Sequence, residues 1–202
     1  MKVLSKPKFP VIDRIAFEKI SDDRRLIVIA DAYDGKYIVD AMDDFLTAAA
    51  GGNVERIRIQ AGKKGNEPVK EMHVEAGGFA DLVVYVGHNG LMDNTLPDVP
   101  AKLHEQNPKQ AAVLACVSAK YFEQLLRRAG SEPLILTTGL MAPEAYTLDP
   151  ILTGKLQGLT AKEIHEAVSQ AYNKYQKTGI SAARRLFTYP GKSTNLKRQK
   201  KR

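Results

Sequence analysis

Leu82-Val83-Val84-Tyr85-Val86-Gly87-His88-Asn89-Gly90 and Ala111-Ala112-Val113-Leu114-Ala115-Cys116 are the two stretches whose reading decides the fold. Each is a short, unbroken apolar run that ends abruptly in groups able to do chemistry. Runs of this length without polar alternation read as strands of a parallel sheet covered on both faces. If the two are neighbours, His88 and Cys116 emerge side by side at the carboxyl edge of the sheet, where open α/β sheets place their sites. A thiol beside an imidazole is the minimum for a cysteine nucleophile with a histidine base.

Working outward, strand and helix alternate. Leu26-Ile27-Val28-Ile29-Ala30 predicts a strand ending at Asp31, and residues 36–50 carry apolar positions at helical spacing before Gly51-Gly52. Residues 54–60 alternate apolar with polar, the pattern of an edge strand, and residues 62–66 read as an exposed turn. A short helix is expected within residues 97–107, after Pro97 or Pro100. Residues 118–129 read as a helix stopped by Gly130, residues 134–138 as a fifth strand, and Thr160-Ala161-Lys162-Glu163 as a capping box opening a helix to about Lys177. That order predicts an α/β fold, a mostly parallel sheet sandwiched by helices with right-handed crossovers. Residues 1–23 read as a polar lead-in, 24–187 as the α/β domain and 188–202 as a basic tail, both ends partly disordered.

With 202 residues, 44% of them hydrophobic, the chain can bury a substantial single core. One cysteine excludes an internal disulfide framework and a cysteine-rich zinc site. No 18-residue apolar stretch occurs, and the amino terminus lacks the apolar segment of a secretory signal, so a soluble, cytoplasmic protein without membrane contact is expected. The formal net charge of +7 is largely local. Lys192, Lys197, Arg198, Lys200, Lys201 and Arg202 crowd the last eleven residues, which makes the tail the candidate for contact with an anion or nucleic acid. Only Tyr189 lies near it as a stacking group.

A hydrophobic block ending in a histidine-glycine element, followed by a second ending in Ala115-Cys116, resembles the caspase-like cysteine peptidases: caspases, metacaspases, gingipains, clostripain and CHAT-type peptidases. The resemblance spans about residues 26–177 and includes Val117-Ser118-Ala119 after the cysteine, the loop Gly139-Leu140-Met141-Ala142-Pro143 and the segment Gly158-Leu159-Thr160. It implies a three-layer caspase-like architecture and cleavage of a peptide or protein substrate without a cofactor. It further implies His88 as general base or proton donor, Cys116 as nucleophile and the Cys116 backbone N–H as part of an oxyanion site. Gly87, Asn89 and Gly90 would shape that site. Asn89 stands between His88 and Gly90 where the family has glycine directly after histidine, so which further N–H completes the site stays open. Ala119 stands where many of these peptidases have glycine.

The same resemblance places the end of the first strand, here Asp31-Ala32-Tyr33-Asp34-Gly35, at the pocket for the residue before the cleaved bond. Asp31 and Asp34 would then favour lysine or arginine. The competing reading of these aspartates is an Asx turn or helix cap. A magnesium phosphotransferase is excluded by spacing, since Tyr33 falls where a paired aspartate is needed. Gly191-Lys192-Ser193-Thr194 is not a phosphate loop, because Leu186 stands where its first glycine belongs. His73, His104 and His165 lack ligand spacing and read as surface residues, Tyr85 reads as core, and Tyr146 as a candidate cleft residue. The alternatives to a peptidase are an inactive interaction domain of the same fold, or anion binding through the tail.

Overall fold

A computed structural model describes residues 1–61, 70–96, 101–103 and 109–191. Three parallel strands form its centre. β1 (Lys2–Val3), β2 (Val11–Ser21), β3 (Arg24–Tyr33), α1 (Ile38–Ala49), β4 (Glu55–Gln60) and β5 (Glu71–Ala76) precede them. The centre itself consists of β6 (Leu82–Val86), β7 (Gln110–Leu114), α2 (Ser118–Arg128) and β8 (Glu132–Thr137). Then follow α3 (Ala145–Gln157), α4 (Ala161–Gln176), α5 (Ile180–Leu186) and β9 (Phe187–Thr188). The main sheet runs β6-β7-β8-β9, the first three parallel and β9 antiparallel.

Side-chain alternation divides β6 and β7 between two faces. Val83, Tyr85, Ala111 and Val113 face a cluster with Met42, Phe45 and Leu46 of α1 and Phe122 and Leu126 of α2. Leu82, Val84, Ala112 and Leu114 face the opposite way, toward Ile151 of α3, Ile164, Val168 and Tyr172 of α4, and Ala183 of α5. Both faces are therefore covered, which is why β6 and β7 carry no polar alternation. The capping box forms as the sequence predicts, with Thr160 Oγ1 accepting from the Glu163 N–H and the Glu163 carboxylate accepting from the Thr160 N–H at 2.8 Å.

Four expectations need correction. Residues 1–23 are not a disordered lead-in, because β2 pairs with β3 along its length in an antiparallel hairpin closed at Asp22-Asp23, with Asp22 at φ 52°. The run 26–30 accordingly lies in that hairpin, outside the parallel sheet. β4 is the middle strand of a separate antiparallel sheet, β1-β4-β5, and no edge: Ile57 and Ile59 are fully buried against Ala16, Ile27 and Ile29 of the hairpin. Residue 188 belongs to β9, paired with Leu136 and only 7% exposed, so the tail cannot begin there. Arg14 is what commits the hairpin to this second core. Its side chain is 6% exposed and bridges Asp31 at 2.5 Å and Glu55 at 2.8 Å, joining β2, β3 and β4. The expected turn at 62–66, most of the helix at 97–107 and the basic residues from Lys192 onward lie outside the described residues. No helix among the described residues is long and apolar enough to cross a membrane.

Candidate functional site

Register places His88 and Cys116 at the same step beyond two paired strands. β6 and β7 pair in parallel with Leu82 opposite Gln110 and Val86 opposite Leu114. His88 and Cys116 both follow that last pair by two residues, and the Gly87 N–H donates to the Leu114 carbonyl at 3.2 Å, carrying the contact one step beyond it. Leu82, Val84, Ala112 and Leu114 share the α3–α4 face, and Cys116 continues their parity. Its sulfur accordingly meets Met141, a residue of the same cluster.

The loop after β6 is anchored through Asn89. This side chain is fully buried, donates from Nδ2 to the Cys116 carbonyl at 2.6 Å, and accepts the Leu91 N–H on Oδ1 at 3.1 Å. It thus ties the histidine segment directly to the cysteine segment. Gly90 sits so close to α1 that an added Cβ would lie 2.7 Å from the Met42 methyl and 3.1 Å from Ile38. Below the loop, the Tyr85 hydroxyl donates to the His88 carbonyl at 2.8 Å, and burial pushes that hydroxyl's pKa up, keeping it a donor.

Cys116 is half-buried. Its thiol donates to the Met141 carbonyl at 3.5 Å, and its sulfur accepts the Met141 N–H at 3.4 Å. His88 is exposed and its Nε2 lies 3.3 Å from the Asp93 carboxylate. The ring and the sulfur are not hydrogen-bonded to each other.

Behind the cysteine, Val117 adopts φ 51°, ψ 32°, a left-handed conformation that is a genuine outlier for a β-branched residue. It is held there by its N–H donating to the Gly139 carbonyl at 2.8 Å. Strain of this kind costs about 1–3 kcal/mol and persists only where surrounding contacts impose it. Val117→Gly is therefore expected to raise stability by about 1 kcal/mol in a urea melt. A loss of stability instead would show that Val117 packing outweighs the backbone term.

Ser118 and Thr137 form a sealed polar knot beneath. Ser118 Oγ donates to the Val113 carbonyl at 2.8 Å, and the Ser118 N–H donates to Thr137 Oγ1 at 3.0 Å. The Thr137 N–H donates to Ser118 Oγ at 2.8 Å and Thr137 Oγ1 to the Ala115 carbonyl. Residues on both sides of Cys116 are fixed by it. Neither Thr137 nor Asp93 carries a periodic or motif signal; the register of β8 and the turn at Gly90–Met92 reveal them.

The aspartates are otherwise engaged. Asp31 receives two bonds from Arg14, Nε at 2.5 Å and Nη2 at 2.7 Å, and this carboxylate is the main reason the Arg14 pKa is raised. Asp34 is exposed and caps the turn Gly35–Tyr37 by accepting the Lys36 N–H at 3.1 Å, which lowers its own pKa. The turn-and-cap reading describes Asp34, and an ion pair describes Asp31. His165 is not a surface residue. It is 6% exposed, with Nε2 3.1 Å from the Arg184 carbonyl and 2.9 Å from that of Phe187, stitching α4 to α5. His73 is exposed on β5, and His104 lies outside the described residues. Tyr85 is core; Tyr146 is half-buried and stacked on Tyr175 at 4.4 Å. Among the described residues no group of three histidine, cysteine or acidic side chains is disposed to hold a metal.

Comparison with protein-family models, with curated proteins and with solved structures finds no match to the chain.

Proposed function

We propose that the chain is a cysteine endopeptidase with a caspase-like arrangement, Cys116 acting as nucleophile and His88 as general base. One observation carries the reading: two in-register parallel strands deliver an imidazole and the single cysteine at the same step beyond the Val86–Leu114 pair. His88 accepts the thiol proton as sulfur bonds to the substrate carbonyl carbon, and the resulting oxyanion is met by the Cys116 N–H. His88 then returns the proton to the leaving amine as the C–N bond breaks. Water attacks the thioester with its proton passing to His88, and the C–S bond breaks to release acid and thiol.

A preference for lysine or arginine before the cleaved bond would rest on Asp34, since Arg14 already neutralises Asp31, and a substrate cation there would have to displace Lys36 Nζ, 3.5 Å from the Asp34 carboxylate. A second reading, an inactive interaction domain, is favoured by two features: the sulfur engages the Met141 backbone, and the His88 ring pairs with Asp93 and not with the sulfur. Iodoacetamide labelling of the intact chain followed by peptide mapping separates the two. The peptidase reading expects labelling at Cys116 that slows at least about tenfold in His88→Ala, together with cleavage in a peptide library that prior labelling abolishes. Labelling indifferent to His88, with no peptide cut, overturns it.

A further inference from the structure

We propose that Asp93 is the positioning residue for His88, a step that rests on the peptidase reading above. The turn Gly90–Met92 begins two residues after the histidine, with Asn89 as its cap, and is tightly built. The Met92 N–H donates to the Asn89 carbonyl at 3.1 Å, and the N–H groups of Asp93 and Asn94 donate to the Gly90 carbonyl at 3.2 and 2.8 Å. Asn94 Nδ2 adds a further bond to the same carbonyl at 2.9 Å. Buried Asn89 and the close packing of Gly90 on α1 fix this turn to the core. The chain that presents the imidazole therefore also presents a carboxylate five residues later, with Oδ2 3.3 Å from Nε2.

An ionised carboxylate accepts hydrogen bonds and cannot donate them. Facing Asp93, the Nε2 of a neutral imidazole carries the proton, and Nδ1 is left with the lone pair a general base needs. The pairing also limits rotation of a ring that is otherwise exposed. This is the division of labour a third group provides in a nucleophile–base pair, setting the tautomer and holding the ring without touching substrate.

The test is nitrogen-15 NMR of the His88 ring in the intact chain and in Asp93→Ala, Asp93→Asn and Asp93→Glu, alongside Cys116 alkylation rates. The unaltered chain is expected to show a protonated Nε2. In Asp93→Ala the Nδ1–H form should gain about fivefold relative to it, the factor one net hydrogen bond carries. Asp93→Asn, whose amide can donate to Nε2, should populate the Nδ1–H form further. Alkylation should slow by a similar factor in both and recover partly in Asp93→Glu, with thermal midpoints unchanged. An identical tautomer and alkylation rate in Asp93→Ala overturns the assignment. Failure of the unaltered chain to cut any peptide would count instead against the peptidase reading, so the two failures are separate.

Discussion

On the proposed peptidase reading, Cys116→Ala is expected to abolish peptide cleavage, with a loss of at least roughly a thousandfold, while leaving the urea midpoint nearly unchanged. The stability expectation follows from the surroundings of the sulfur. Cys116 is only half-buried, and its side-chain bonds are two long contacts with the Met141 backbone, so removing the sulfur strands no strong partner. The Asn89 side-chain bond to the Cys116 backbone carbonyl and the strained Val117 turn do not involve the sulfur, so alanine preserves them. His88→Ala should show a comparable loss, and the double variant should be no worse than the more damaged single one, because residues that act as a unit in one step are strongly non-additive. Peptide turnover with purified chains measures this. Cleavage surviving in Cys116→Ala would move the reaction elsewhere in the molecule, or to a contaminant.

How much of this was readable beforehand depended on whether a segment owes its structure to local pattern or to distant partners. β6, β7 and β8 are apolar because both faces of their sheet are covered, and α4 opens on a capping box, so sequence marks each of them. Counting residues after Val86 and Leu114 was enough to bring His88 and Cys116 to one edge. β2 was not readable. Asp13, Arg14, Glu18 and Lys19 make it look polar, yet Arg14 is sequestered between Asp31 and Glu55, and Lys19 pairs with Asp149 of α3. Those acceptors are 17 to 130 residues away in the chain. α3 was hidden by Pro150 in its interior, tolerated because the helix packs Ile151 into the core and Leu152 beside it. Asp31 looked like a substrate group for the same reason that β2 looked like a lead-in: its partner, Arg14, lies on a strand the pattern did not announce.

Thr137→Val is expected to destabilise the fold by about 3 kcal/mol although it conserves shape. Thr137 is fully buried at the end of β8, and its Oγ1 makes three contacts with two residues: it accepts the Ser118 N–H at 3.0 Å, lies 3.1 Å from Ser118 Oγ, and donates to the Ala115 carbonyl. Valine fills the same volume but supplies neither donor nor acceptor, so the Ser118 N–H at the start of α2 loses its partner in a site without access to water. An unsatisfied buried group costs about 1–3 kcal/mol, and the Ala115 carbonyl loses a bond in the same event. Thr137→Ser keeps the hydroxyl and should lose only about 1 kcal/mol for its missing methyl, which separates hydrogen bonding from packing. Against the 5–15 kcal/mol total stability ordinary for a domain, the valine variant stays folded at room temperature but shifts the urea midpoint clearly. Because Ala115 and Ser118 flank Cys116, the variant should also disturb the thiol's alkylation rate. Equal midpoints for valine and serine variants would mean that the knot contributes no net hydrogen-bond energy, and that the cysteine turn is held by Val117, Gly139 and Asn89 instead.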